Sequence, residues 1–170
     1  MREKSPPIKL QKLCELLDVD YDQSRYALAQ GILPKGVDAG PGRGHHRTFD
    51  AGQAFFLAIA LKLKGVGIST SVAKQISEWS RGVQHMSSNL GWDPGFAPFS
   101  GLLHTERCWY LDIGDIRFVR LATDANPSEV GMHEMPWFDT VSRKKSPSVR
   151  PEIIFRIDIA QIAHLLVRPA

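Results

Sequence analysis

The sequence is short of several things that define whole classes of protein. Only two cysteines occur in 170 residues, Cys14 and Cys108. That is too few for a disulfide-stapled scaffold and in keeping with a reducing, cytoplasmic setting. No apolar run approaches the ~18 residues of a membrane span, so no membrane partner is expected. The opening segment MREKSPPIKL has no apolar core of the kind a secretory signal carries. Catalytic signatures are missing too: there is no Gly-rich nucleophile turn, phosphate-binding loop, His-Glu-x-x-His or Cys-x-x-Cys. Cys108 alternates with Tyr110 on a strand-like stretch and reads as a small buried hydrophobe, not as a nucleophile served by His85, His104 or His133. An enzyme is not expected, and no cofactor.

What remains is an ordinary globular composition, 43% apolar and 23% charged, enough for one good core or two small ones. The net charge of +3 conceals an uneven distribution. Residues 1–85 carry twelve Lys/Arg against eight Asp/Glu, residues 86–142 three against eight, and residues 143–170 six against two. A basic first half, an acidic middle and a basic end point to regions with different partners.

Apolar residues at Leu10, Leu13, Cys14 and Leu17 follow the spacing of a short amphipathic helix, which Pro6-Pro7 bar from extending upstream. Asp20 and Asp22 offer N-cap oxygens to a second helix over about Gln23–Gln30, with Gly31 as its C-terminal stop and Pro34 beyond. Two short helices so closely spaced predict a helix-turn-helix. Residues 35–50, rich in Gly, His and Arg, predict a loop or loose hairpin. Helical periodicity resumes at Phe55, Phe56, Ile59, Ala60 and Leu63 and stops at Gly65–Gly67. Ser69, Thr70 or Ser71 can cap a further helix carrying Val72, Ala73, Ile76 and Trp79.

Residues 84–106 have no period and read as a linker between a first domain, 1–83, and a second, 107–170. In the second, Arg107–Leu111 and Ile116–Leu121 predict strands joined through Asp112-Ile113-Gly114-Asp115, and Ile153–Ile157 a third strand. Asp158 can cap a last helix burying Ile159, Ile162, Ala163 and Leu166. The expected fold is therefore α+β, with a three-stranded C-terminal module.

The stretch from Val19 to Phe49 resembles the DNA-binding domain of the MerR family of transcriptional regulators. Val19 stands six residues before Arg25, Arg25-Tyr26 lead to Gly31-Ile32-Leu33-Pro34, and Arg47-Thr48-Phe49 closes the segment that would be the wing. The resemblance covers residues 8–80 and implies a winged helix-turn-helix that binds double-stranded DNA and regulates transcription. Gln23, Ser24, Arg25 and Tyr26 would lie in the major groove, where Arg25 can give paired hydrogen bonds to guanine. Lys35, Arg43, His45, His46 and Arg47 would hold phosphates from the wing, the histidines more strongly below about pH 6.5. Phe49 would pack the wing onto the core. His45-His46 read as polar wing residues, and no metal site is expected.

The chain departs from the family pattern in four places, the first being a segment between Pro34 and Arg47 a few residues longer than the usual wing. Ala27 replaces a second tyrosine, Leu28-Ala29 replace Glu-Arg, and residues 80–110 are too rich in Gly and Pro for the long dimerising helix. A homodimer on a palindromic site is still expected, since one small winged helix buries limited surface. The second module would then dimerise the protein, bind an effector among Trp109, Phe118, Trp137 and Phe155, or dock RNA polymerase or another protein. The competing reading is a winged-helix scaffold that docks proteins without binding DNA. The patch Arg143-Lys144-Lys145 reads as a solvated loop or an extra phosphate contact.

Overall fold

The computed structural model describes residues 7–33, 47–76, 109–123, 137–142 and 144–167. The fold is mixed α+β and divides into two compact units, Met1–Arg81 with Ile162–Ala170, and Gly82–Gln161.

The first unit begins with β1 (Ile8–Lys9), α1 (Leu10–Leu17) and α2 (Tyr21–Ala29). Helix α1 buries Leu10, Leu13, Cys14 and Leu17, the residues whose spacing predicted it. It stops where Asp18 takes the left-handed conformation, φ 52°, one of the few non-glycine types that tolerate it. Asp20 then caps α2, its Oδ1 accepting the Gln23 N–H at 2.7 Å. At the far end Gly31 is left-handed, φ 90°. The Ile32 N–H reaches the Ala27 carbonyl at 3.1 Å and the Gly31 N–H that of Leu28 at 3.0 Å. This is the Schellman closure that a glycine after a helix permits.

After residues 34–46, β2 (Thr48–Phe49) pairs antiparallel with β1, setting Ile8 opposite Phe49 and seating the Phe49 ring fully in the core. Helix α3 (Ala51–Gly65) opens on a capping box: Asp50 Oδ1 accepts from Gln53 N–H at 2.7 Å, and Gln53 Oε1 from Asp50 N–H at 3.0 Å. Such reciprocal bonds satisfy two otherwise orphaned donors. Every residue from Leu57 to Leu61 is buried, so α3 is the centre of the unit, and both α1 and α2 pack against it. Lys62 adds a long-range tie, donating from Nζ to the Leu17 carbonyl at 2.6 Å. A further helical segment, α4 (70–76), buries Ala73 and Ile76.

The second unit holds a five-stranded antiparallel sheet, not the three-stranded one expected. Its strands are β3 (Trp109–Gly114), β4 (Phe118–Thr123), β5 (Phe138–Asp139), β6 (Lys144–Lys145) and β7 (Ile154–Asp158), in the order β6-β5-β4-β3-β7. Helix α5 (Ile159–Val167) follows β7 directly. Asp158 Oδ1 accepts the Gln161 N–H at 2.8 Å, and Ile159, Ile162, Ala163 and Leu166 are buried as their spacing predicts.

The β3–β4 hairpin is also displaced from its predicted place. The turn runs from Gly114 to Arg117, closed by the Arg117 N–H on the Gly114 carbonyl at 3.0 Å, with Asp115 and Ile116 at φ 50° and 56°. Positive φ at both central positions matches the right-handed twist of a hairpin. Asp115 anchors this strained tip, its Oδ1 accepting the N–H groups of Glu152 at 3.1 Å and Ile153 at 3.0 Å.

Moving the turn places Asp112 in mid-strand rather than in a loop, and there it is fully buried. It lies opposite Arg120 on β4 and Arg156 on β7. Arg156 reaches it through Nε (2.7 Å) and Nη2 (3.0 Å), and Arg120 through Nε (3.2 Å). The guanidiniums in turn face rings, Arg120 over Trp137 at 4.5 Å and Arg156 over Tyr110 at 4.9 Å. One face of the sheet is thus a cross-strand Arg–Asp–Arg row with aromatic partners. The other carries Trp109, Leu111, Ile113, Val119 and Leu121, all buried.

Candidate nucleic-acid interface

Helix α2 divides cleanly between an inner and an outer face. Ser24, Ala27 and Leu28 are buried, and the helix packs on α1 and α3. Tyr26 is 64% exposed, and Asp22, Gln23 and Arg25 are exposed beside it. Three residues, Asp18-Val19-Asp20, separate α1 from α2. That is the length of connection a helix-turn-helix uses.

Of the residues expected in the groove, Gln23, Arg25 and Tyr26 are therefore presented to solvent and Ser24 is not. The Ser24 side chain turns inward, its hydroxyl donating to the Asp20 carbonyl at 2.7 Å. Its neighbour in the interior is Cys14, whose thiol burial pushes upward in pKa. A protonated, buried thiol makes a poor redox or metal sensor. Arg25 is poised but not idle. Its Nη1 lies 3.6 Å from Asp22 Oδ1, and its guanidinium sits 5.8 Å above the Tyr21 ring. Both groups are exposed, so the pair is weak and leaves the guanidinium transferable to another acceptor.

Lys35, Arg43, His45 and His46 lie outside the described residues. Arg47 lies just before β2, half-buried and with a partner within the protein.

Sequence reasoning missed the charge around the turn. Glu15, Asp18, Asp20 and Asp22 gather at the end of α1 and the start of α2, against Lys12 and Arg25. A shallow, open groove there is lined by Gln11, Cys14, Glu15, Asp18, Val19 and Tyr21. The signal lay in the local count of carboxylates over residues 15–22, which the total for residues 1–85 had averaged away.

In the sheet unit the aromatics expected to share an effector pocket fall on two faces. Trp109 and Phe155 lie on the face of Ile113, while Phe118 is opposite Gly114 and Trp137 covers Arg120. Among the described residues, no group of three His, Cys, Asp or Glu side chains is placed to hold a metal ion, and no helix is long and apolar enough to cross a membrane. No protein-family model and no curated protein matches the chain.

Proposed function

We propose that the protein binds double-stranded DNA through α2 as a winged helix-turn-helix of MerR-like type and regulates transcription from a palindromic site as a homodimer. The observation that carries this reading is the split of α2, with Arg25, Tyr26 and Gln23 outward on a helix whose opposite face is fastened to α1 and α3. A rigidly held helix with a transferable arginine and an amphipathic ring can reach base edges in a major groove, where arginine pairs with guanine O6 and N7. Tyr26 can give its hydroxyl to a phosphate. The β1–β2 pair fixes the end of the segment that would form the wing, and the basic residues of 35–47 would supply its phosphate contacts.

The carboxylates of α1 and α2 shape this reading. They repel phosphate, so the end of α1 and the start of α2 add little non-specific attraction, which is left to the basic residues of 35–47, while α2 depends on Arg25 finding a base acceptor. The same carboxylates favour a second reading, in which the turn docks a basic protein surface and no DNA is bound.

Titration of the full chain with mixed-sequence and then selected duplexes over a salt series separates the two. Duplex binding predicts affinity that falls steeply with salt and drops on Arg25→Ala by about 1–3 kcal/mol if the arginine reads a base. Absence of binding at low salt, with the variant and wild type equally folded, rejects it.

A further inference from the structure

Laid out at about 100° per residue, the buried residues of α2, Ser24, Ala27 and Leu28, occupy one side of the helix. The direction opposite them falls on Asp22, Tyr26 and Ala29, all exposed. Arg25 and Gln23 flank that direction, each about a quarter-turn away. In the first turn of α2 it is therefore Asp22, a position outside the set expected in the groove, that points most directly away from the core.

The cap of the helix is already supplied by Asp20, whose Oδ1 takes the Gln23 N–H. Among the described residues the partner of the Asp22 carboxylate is the Arg25 guanidinium, 3.6 Å away, and the two side chains are 86% and 64% exposed. A carboxylate accepts about four hydrogen bonds, so Asp22 has capacity to spare. Arg25 beside it offsets the repulsion that a bare carboxylate meets between two phosphate backbones.

Given the duplex binding proposed for α2, on which this depends, we infer that Asp22 is a specificity-determining residue that reads cytosine. It accepts a hydrogen bond from the N4 amino group, in the base pair next to the guanine taken by Arg25. The chemistry of the groove selects the base. Guanine and thymine present only acceptors there, which repel a carboxylate. Adenine donates from N6 but sets the acceptor N7 beside it, whereas cytosine donates from N4 with no acceptor alongside. Helix geometry selects the neighbouring pair. Residues three apart are displaced by about 4.5 Å along the axis, more than the about 3.4 Å between stacked bases. Both residues lie in the first two turns of α2, the part of a recognition helix that meets base edges.

The test is selection of sites from random duplexes by the full chain as wild type, Asp22→Ala and Asp22→Asn, each first checked for unchanged circular dichroism. Asp22→Ala keeps the guanine and loses about tenfold in discrimination at the neighbouring pair. Asp22→Asn moves that pair from cytosine to adenine, because a side-chain amide matches N6 and N7 together. A change on the DNA side needs no variant. N4-methylcytosine at that position still pairs but has lost the groove-facing N–H, and it weakens wild-type binding by a similar factor. Loss of the guanine with Asp22→Ala would make Asp22 a brace for Arg25, and a uniform gain in affinity for every duplex would make it only a repellent of phosphate. Either result overturns the base contact, as does a wild type indifferent to N4-methylcytosine. A motif whose guanine depends on Arg25 and whose neighbouring pair ignores Asp22 overturns the cytosine contact and leaves duplex binding standing. A folded wild type that selects no motif overturns both.

Discussion

Replacing Asp112 by alanine tests the reasoning about the sheet most severely. The carboxylate is fully buried and accepts three hydrogen bonds, one from Arg120 and two from Arg156. The two arginines stand in different surroundings: the Arg120 side chain is 16% exposed and covered by Trp137, while that of Arg156 is 53% exposed. Without Asp112, Arg156 turns into water at little cost. Arg120 cannot follow without displacing the indole, and breaking a buried pair by removing one partner costs about 3–5 kcal/mol. Arg156→Ala removes bonds that solvent already screens and leaves Asp112 paired with Arg120, so it costs only about 1–2 kcal/mol. Urea unfolding followed by tryptophan fluorescence reads the difference, since Trp109 and Trp137 are both buried in this unit. With a slope of about 1–3 kcal/mol/M, the two midpoints separate by roughly a molar unit of urea. Equal costs, or a larger cost for Arg156→Ala, would refute the assignment of Arg120 as the more deeply held partner of Asp112. A double variant, Asp112→Leu with Arg120→Met, should recover much of the loss, because matched apolar groups replace a buried pair at little cost.

Three further outcomes follow from particular contacts. Arg117 forks onto Asp139, Nε to Oδ1 at 3.0 Å and Nη2 to Oδ2 at 2.6 Å, and this holds the carboxyl well below the usual carboxylate range. A folded-state pKa below the unfolded value of about 3.9 adds stability above that pH and loses it as acid protonates the folded carboxyl. Asp139→Asn should therefore flatten the acid limb of a stability–pH curve and leave its alkaline side unchanged in slope. Gly114→Ala would put a methyl 2.2 Å from Pro151 Cγ and 2.5 Å from its Cβ; a proline ring cannot swing aside, so a loss of about 1–3 kcal/mol is expected in urea titrations. Asp50→Ala removes the capping box of α3 and should cost about 1 kcal/mol, seen as a lower melting temperature with helix content nearly intact.

Most of the first unit was legible because its helices announce themselves locally. Leu10, Leu13, Cys14 and Leu17 bury as their spacing requires, Gly31 stops α2 as predicted, and Asp20, one of the two caps expected, starts it at Tyr21, two residues before the predicted Gln23. The capping role of Asp50 escaped notice, although Asp-x-x-Gln is the signature of such a box. The sheet was less legible. Strands β5 and β6 are two residues long each, too short for any alternation to register. The hairpin was misplaced because aspartate and glycine favour turns, and an aspartate in mid-strand makes sense only once Arg120 and Arg156 flank it across strands distant in sequence. Within the candidate site, Arg25 and Tyr26 are exposed as their place on α2 required, whereas Ser24 falls on the inner face one helical step away.

Whether α2 reads a duplex is decided by selection of binding sites from random double-stranded DNA. The wild-type protein should enrich a palindromic motif with a G·C pair in each half-site, and Arg25→Ala should relax that position while leaving others in place. Recovery of no motif by a folded wild-type protein, or the same motif with and without Arg25, would contradict it.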